Sequence, residues 1–154
     1  MALAAGFLAV AKARGVDYAA LRGGFAFDPI GLLVGEGRIQ GGLSARLGQL
    51  RDLAGWCDSH APNLRAVWVS GQSYDAAGAS TVQELAYTIA TGIEYLREMT
   101  AAGLSIDGAA RQIGFSYLIS GNFFTQIAML RAARAIWWNV VRASVGEAAS
   151  AAMP

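Results

Sequence analysis

Polar residues follow three of the apolar runs in this chain, at positions where they could bind a ligand. These are Asp28-Pro29, the loop from Ser70 to Ser80, which begins Ser70-Gly71-Gln72-Ser73-Tyr74-Asp75, and Ser120-Gly121-Asn122. Parallel α/β folds bind their ligands at the carboxyl ends of strands, and hydroxyls, an amide and a carboxylate there suit a polar ligand. The same composition is common in strand-to-helix loops that have no ligand, and this second interpretation is favoured.

Other catalytic motifs are missing from the sequence. Gly71 and Gly78 lack the spacing and the Gly-Lys-Ser/Thr ending of a phosphate loop. His60 has no nucleophile beside it and is interpreted as a solvated loop residue. Ser73 lacks the surroundings of a nucleophile elbow. The single cysteine, Cys57, excludes a disulfide framework and a multi-cysteine zinc site, and no metal cluster is predicted.

Composition excludes further classes of protein. The 154 residues are 55% hydrophobic and 15% charged, which is enough apolar surface for a core and excludes disorder. A net charge of +1 gives no electrostatic reason to bind nucleic acid or an anionic membrane. The longest apolar run, Met1 to Ala11, is shorter than the roughly twenty residues that span a bilayer, and it lacks signal-peptide features. We therefore expect a cytoplasmic protein without nucleic-acid or membrane partners.

Hydrophobic periodicity predicts helices that alternate with short strands. We expect strands at 25–27, 66–70 and 115–119, loops at 58–63 and 71–79, and helices at 2–21, 42–57, 105–111 and 122–143. A further helix begins with a capping box of Thr81 and Glu84 and ends at Gly103, and the tail 144–154 is expected to fray. The helix after Thr81 is expected to bury the face formed by Val82, Leu85, Ala86, Ile89, Ile93 and Leu96.

This order predicts an α/β fold with about three parallel strands and covering helices. A closed (β/α)₈ barrel typically needs ~250 residues. The pattern therefore fits either a small open α/β domain or a partial (β/α)₈ TIM barrel.

The last predicted helix is apolar around most of its circumference. One face holds Phe123, Ile127, Leu130, Trp137 and Val141 together with Arg134, and the adjoining face holds Phe124, Ala128, Ala135 and Trp138 together with Arg131. Either the two arginines pack their stems and extend their charges to water, or they lie at an interface or near an anion. Three strands cannot cover so much apolar surface, which implies a partner or missing elements.

Several separated blocks have the order and spacing of a known protein family, and together they cover about residues 15–143. They are Ala76-Ala77-Gly78-Ala79, the run from Val82 to Arg97, Gly103-Leu104-Ser105-Ile106-Asp107, Asn122-Phe123-Phe124, the run from Ile127 to Arg134, and Trp137. In these blocks the chain resembles the adenosylcobalamin-dependent methylmalonyl-CoA mutase family.

The resemblance implies that residues 1–154 are a single segment of the family's substrate-binding (β/α)₈ barrel, without the cobalamin-binding domain. The family is one of isomerases that convert methylmalonyl-CoA to succinyl-CoA by radical rearrangement. Its cofactor, adenosylcobalamin, is not expected to be bound by this chain alone. The implied partner is a catalytic large subunit or the remainder of the barrel, and acyl-CoA is expected to meet the chain only through that complex.

Positions that bind substrate in catalytic members of the family carry other residues here. Where the family strand ends Ser-Gly-Tyr-His, this chain has Gln72 and Ser73 in place of the tyrosine and histidine. Gln112 and Gly114 replace the arginine and serine of an Arg-Leu-Ser-Phe-Phe strand, and Arg65 replaces an asparagine associated with CoA binding.

The substrate carboxylate also lacks its expected partner. The arginine that would bind it aligns near Glu36, and Arg38 could serve only if the alignment shifts by two residues. Losing a charge-assisted contact together with several donors leaves a CoA thioester unsatisfied. Small, non-catalytic subunits of the family read Arg-Gly-Gly and Asp-Pro near the first strand, as in Arg22-Gly23-Gly24 and Asp28-Pro29.

We therefore expect a chain of the non-catalytic small-subunit type, catalytically inactive by itself, and we assign no catalytic residue. Candidates for the substrate wall are Gln72, Ser73, Gln112, Gly114 and Arg38, and candidates for an interface or the core are Phe123, Ile127, Arg131, Arg134, Trp137 and Trp138. Two alternatives stay open. The chain is either a fragment of an active acyl-CoA mutase with an altered substrate range, or an independent small α/β binding module.

Overall fold

The computed structural model of the protein describes residues 2–144, so the predicted frayed tail lies, apart from Ser144, outside the described residues. Helices and short strands alternate along this part of the chain. The helices are α1 (Ala2–Ala13), α2 (Pro29–Glu36), α3 (Leu43–His60), α4 (Gln72–Ala76), α5 (Thr81–Ala101), α6 (Ile106–Arg111) and α7 (Phe123–Ala143), with a 3₁₀ helix at Tyr18–Ala20. The strands are β1 (Gly23–Gly24), β2 (Leu64–Arg65), β3 (Val67–Ser70) and β4 (Ile113–Ser116).

The strands form two small parallel sheets, which confirms the predicted α/β class and parallel pairing. In one, β1 pairs with β2; in the other, β3 pairs with β4, with Val67 opposite Ile113 and Ser70 opposite Ser116. Only Ala66 separates β2 from β3. The described residues do not include a closed barrel, so the partial barrel stays a prediction.

The core lies between these strands and the helices that cover one side of them. Val67 and Val69 are fully buried against it, whereas Trp68 and Ser70 are only half-buried, as expected when successive side chains of a strand point to opposite faces. Helix α5 packs against α3, α6 and α7 and against both β3 and β4. Within residues 2–144, no helix is long and apolar enough to cross a membrane.

The first predicted helix and the first predicted strand are wrong in their bounds. Helix α1 ends at Ala13 rather than at 21, because Gly15 takes a left-handed φ of +67° and Asp17 caps a separate 3₁₀ helix. The strand lies at Gly23–Gly24 rather than at 25–27. Ala26 has a φ of +50°, which interrupts the extended backbone, although Phe25 N and Phe27 N still donate to the neighbouring segment.

Two short helices, α2 and α4, were not predicted from the sequence. Helix α2 begins at Pro29, behind Asp28 as its N-cap, and ends at Gly37 with a φ of +67°. Helix α4 lies inside the predicted loop 71–79. Helix α3 extends to His60, so the predicted loop 58–63 is shorter than expected. The bounds of α5, α6 and α7 agree with prediction within about two residues, the usual uncertainty of helix ends.

The capping box of α5 lies one residue earlier than predicted. Ser80 caps the helix and exchanges hydrogen bonds with Gln83, which leaves Glu84 free to turn inward. The buried face of α5 therefore differs from the predicted one, and Val82 is 75% exposed. The last strand is also shifted, to Ile113–Ser116, because the Leu118 amide donates to the Glu84 carboxylate instead of to a strand.

Close packing between α5, β4 and α7 generates a test of the core. A Cβ on Gly92 would lie 2.7 Å from Phe115 Cζ and 3.1 Å from Trp137 Cζ3. We expect Gly92→Ala to lower the free energy of unfolding by about 1–3 kcal/mol. Gly55→Ala is the control, because its Cβ would find Leu104 at an ordinary 3.8 Å, and it is expected to stabilise α3 by roughly 0.5–1 kcal/mol. Thermal melting of the intact protein measures both, and a Gly92→Ala protein that melts no lower than wild type contradicts this packing.

Candidate functional site: the carboxyl ends of the strands

Asp28 joins three elements where the first strand segment ends. Its Oδ1 accepts hydrogen bonds from the Gly31 amide at 2.9 Å and from the Tyr95 hydroxyl at 2.5 Å, and its Oδ2 accepts from the Ser70 amide at 2.9 Å. The Tyr95 hydroxyl in turn accepts from the Ile30 amide at 2.8 Å. Both carboxylate oxygens are thus used within the fold, which gives Asp28 a structural role.

Tyr95 is suited to this position because it stays protonated. Its side chain is fully buried, and burial, followed by the charge of Asp28, raises the pKa of the hydroxyl far above its usual range. A neutral hydroxyl donates one hydrogen bond and accepts another, as the geometry here requires. The carboxyl end of the first strand segment is therefore tied to the middle of α5.

Gln72 and Ser73 lie on α4, just beyond the end of β3. Gln72 is exposed and Ser73 is half-buried. Ser73 lines a cavity of about 360 Å³ together with Asp28, Ser70 and Arg46. Arg46 donates to the Gln40 carbonyl and to the Gln49 side chain, both of which are neutral.

Glu84 is the buried carboxyl at this end of the strands, and sequence reasoning did not assign it to the site. Its side chain is 2% exposed, and its Oε1 accepts a hydrogen bond from the Leu118 amide at 2.8 Å. The absence of a Cβ on Gly71 makes room for the carboxyl group. Burial raises the pKa of Glu84, the Leu118 hydrogen bond lowers it, and the charge of Asp75 raises it further.

The Glu84 carboxyl and the Tyr95 hydroxyl belong to a line of polar residues along α5. The line consists of Glu84, Thr88, Thr91 and Tyr95, and all four are buried. Thr91 shares a hydrogen bond with Tyr74 of α4. The spacing of four, three and four residues is helical. A search for polar side chains at that spacing would have found the buried line, whereas the sequence analysis followed only the apolar residues.

Trp68 covers the face of the strands that points away from the helices. A Cβ on Gly114 would lie 2.7 Å from its ring, so the indole lies directly on the backbone of β4. A Cβ on Gly24 would also meet this ring, at 3.3 Å. The Arg65 guanidinium lies over the indole at 5.8 Å from the ring centroid. This face is therefore covered by an aromatic side chain and a cation that lies over it.

The substrate-wall candidates do not lie together. Gln112 is fully buried at the start of β4, where its Oε1 accepts from the Ala66 amide at 3.1 Å. Gln72 and Ser73 follow the opposite end of the neighbouring β3, one strand length or about 13 Å away along the strand direction. Arg38 is exposed between α2 and α3. Only Gly114, under Trp68, lies on the face away from the helices.

The interface candidates on α7 divide into buried and exposed residues. Trp137 is 2% exposed and packs edge-on against Phe115. Phe123 is 68% exposed and Ile127 is 40% exposed. Trp138 is half-buried beneath the Arg142 guanidinium, and Arg131 and Arg134 are exposed. The buried face of α7 is formed by Gln126, Met129, Ala133, Trp137 and Val141.

Cavities lie beside the outer strands of both sheets. One of about 630 Å³ runs between β4 and α7 and reaches Arg65 and Trp68, and one of about 580 Å³ lies between α1 and β1. Within the described residues, β4 pairs only with β3 and β1 only with β2. The outer edges of β4 and β1 are therefore unpaired within these residues, and each lies beside an open cavity.

The chain belongs to the methylmalonyl-CoA mutase family. The sequence profile described as "Methylmalonyl-CoA mutase" matches residues 1–153, which confirms the resemblance drawn from the separated sequence blocks.

Three relatives illustrate the similarity. The methylmalonyl-CoA mutase small subunit of Streptomyces virginiae is 39% identical over 140 residues, which is 91% of this chain and 22% of the relative. The methylmalonyl-CoA mutase of Escherichia coli (strain K12) is 39% identical over 92 residues, 60% of this chain and 13% of the relative. The large subunit from Streptomyces virginiae is 39% identical over 93 residues, again 60% of this chain and 13% of the relative. The chain thus spans about a fifth or less of these relatives.

His60 is the single histidine of the sequence, and its ring stacks on Trp56 with its Nδ1 3.1 Å from the Trp56 carbonyl oxygen. No group of three His, Cys, Asp or Glu side chains that could hold a metal ion occurs within residues 2–144.

The Asp28–Tyr95 pair generates a test of the site. Tyr95→Phe removes the hydroxyl that joins Asp28 to the Ile30 amide, and we expect a loss of about 1–3 kcal/mol in the free energy of unfolding. Tyr87→Phe is the control, because this tyrosine lies on the same helix and is 47% exposed; its effect is expected to stay within about 0.5 kcal/mol. Thermal melting of the intact protein compares the two variants, and equal melting temperatures contradict the assigned role.

Proposed function

We propose that this chain is a segment of the substrate-binding barrel of a methylmalonyl-CoA mutase, of the non-catalytic small-subunit type, and that it supports a catalytic large subunit. The observation that carries the proposal is that the residues on the strand face and at the strand ends differ from those with which catalytic members of the family bind substrate. Trp68 lies on Gly114 there, and Gln72 and Ser73 stand in place of the family's tyrosine and histidine.

Binding of an acyl-CoA requires donors for the thioester oxygen and a cation for the substrate carboxylate. The half-buried Asp28 and the buried Glu84, the carboxyl groups at the strand ends, accept hydrogen bonds from this chain's own groups. The side chains at positions 72 and 73 are an exposed amide and a half-buried hydroxyl. A structural role for the residues at the strand ends is therefore favoured over a role in binding a thioester.

A supporting role for the chain is favoured by the surfaces it leaves open. Open cavities lie beside β1 and β4, and α7 exposes apolar side chains, including Phe124 at 81% exposure. Unpaired strand edges and exposed apolar side chains of this kind are usually covered by further protein. The remainder of the barrel and the large subunit are the proposed sources of that cover. Adenosylcobalamin would then be bound by the complex, where it supplies the radical chemistry of the family.

A second candidate is a segment of an active acyl-CoA mutase with an altered substrate range. The 39% identity to the large subunit from Streptomyces virginiae favours it. The small subunit from the same organism matches this chain over 140 residues, compared with 93 for the large subunit, which favours the first candidate.

The proposal predicts that the intact protein does not bind methylmalonyl-CoA by itself. Isothermal titration is expected to give no micromolar binding. The Gln72→Tyr, Ser73→His double variant is expected to gain neither binding nor turnover with adenosylcobalamin, because Glu36 stands near the position of the family's carboxylate-binding arginine. A catalytic large subunit in the same assay is the positive control. Micromolar binding or turnover by this protein without a partner establishes the second candidate instead.

The proposal also predicts how the isolated segment behaves. Residues 1–154 expressed alone are expected to aggregate or to melt without cooperativity, because strand edges and apolar helix faces are exposed. The intact protein in complex with a large subunit is expected to melt cooperatively. Calorimetry and light scattering make the comparison, and a cooperative, monomeric melt of the isolated segment points to an independent α/β binding module.

A further inference from the structure

We propose that Glu84 makes a pH-dependent contact that holds the segment 117–122, which joins β4 to α7, when its carboxyl is protonated and releases that segment when it is ionised. The inference concerns the chain itself and does not rest on the proposed function.

The Glu84 carboxyl group is buried beneath the segment that it contacts. Glu84 is 2% exposed, and its Oε1 accepts the Leu118 amide at 2.8 Å. Gly71 lies on its other side, where the missing Cβ makes room for the carboxyl group, and the Gly71 amide donates to the Ser116 carbonyl. Glu84 therefore lies between two loops that follow neighbouring strands.

No positive charge compensates the ionised form of this carboxyl. Within residues 2–144, Glu84 takes part in no ion pair. The titratable groups that interact with it are Asp75 on α4 and Tyr117 in the segment itself, and the Asp75 carboxylate opposes a negative charge at Glu84. One amide donor and the first turn of α5 offset only part of the loss of hydration, and the pKa of Glu84 remains raised.

The sign of the effect follows from linkage. A carboxyl whose pKa is higher in the held state than in the released state favours the held state at low pH. That preference is lost as the pH rises through the pKa of the held state, because the ionised group gains hydration when it becomes exposed. Ionisation therefore favours release, and protonation favours the arrangement in the structure.

The segment 117–122, rather than α5, is the element that can move. Leu118, Ile119 and Ser120 are exposed, whereas α5 packs against four other helices and both strands of one sheet. Besides the Glu84 contact, the side chains of the segment make contacts at its two ends and at Ser120: Tyr117 stacks on Phe115, Asn122 caps α7, and Ser120 Oγ accepts from Gln126 Nε2 at 2.7 Å. Release would change the position of the exposed Leu118 and Ile119 and leave the core in place.

Hydrogen exchange at the Leu118 amide tests the proposal, because this amide donates directly to Glu84. In the intact protein, we expect its protection factor, corrected for intrinsic exchange, to fall as the pH is raised from about 4 to about 8. The expected fall is about tenfold for each pH unit by which the pKa of the held carboxyl exceeds that of the released one. In Glu84→Gln, whose amide oxygen still accepts a hydrogen bond, protection is expected to be independent of pH.

Glu94→Gln is the matched control, since Glu94 lies on the same helix with an exposed carboxylate that faces Arg97. It is expected to keep the pH dependence of wild type. Constant protection in the wild-type protein overturns the proposal without any variant. A Glu84→Gln protein that keeps the wild-type dependence overturns it as well, because another group would then be titrating.

Discussion

The described part of this protein depends on a line of polar side chains buried along one side of α5. Tyr95 reaches Asp28, which in turn accepts the amide of Ser70, and Glu84 accepts the amide of Leu118. These contacts tie the carboxyl ends of β1, β3 and β4 to a single helix. A buried polar group without a partner costs about 1–3 kcal/mol. These hydrogen-bonded pairs therefore fix the arrangement of the strand ends, and they also stabilise that arrangement.

Missing side chains at three glycines make that arrangement possible. Gly71 leaves space for the Glu84 carboxyl, Gly92 allows Phe115 and Trp137 to meet the backbone of α5, and Gly114 accepts the indole of Trp68. In each case a larger group from a neighbouring element fills the space that a Cβ would take. Gly114 also links the fold to the proposed function, because the indole above it covers the face where the family would place its substrate.

The long elements were predictable from sequence and the site only in part. The apolar period of three and four residues located α3, α5 and α7, and Gly103 marks the end of α5 through its φ of +99°. Strand positions were off by two residues, because Ala26 and the Glu84–Leu118 contact end the pairing early, and neither effect has a sequence pattern. The buried role of Glu84 was missed because a glutamate in a first helical turn is ordinarily a capping residue.

Among the described residues, three buried side-chain atoms have no hydrogen-bond partner. They are Gln112 Nε2, Tyr117 Oη and Gln126 Oε1. Gln112 and Tyr117 flank β4 and Gln126 lies on α7, and Tyr117 also lines the cavity of about 630 Å³. Tyr117 follows the carboxyl end of β4 and Gln112 precedes its start, so both ends of this strand carry a buried polar atom without a partner. The Asp28 and Glu84 carboxyl groups, by contrast, accept hydrogen bonds from this chain's own amides. A buried polar atom without a partner costs about 1–3 kcal/mol. The ends of β4 and the neighbouring part of α7, rather than the Asp28 and Glu84 contacts, are therefore the places where a further contact would stabilise the protein most.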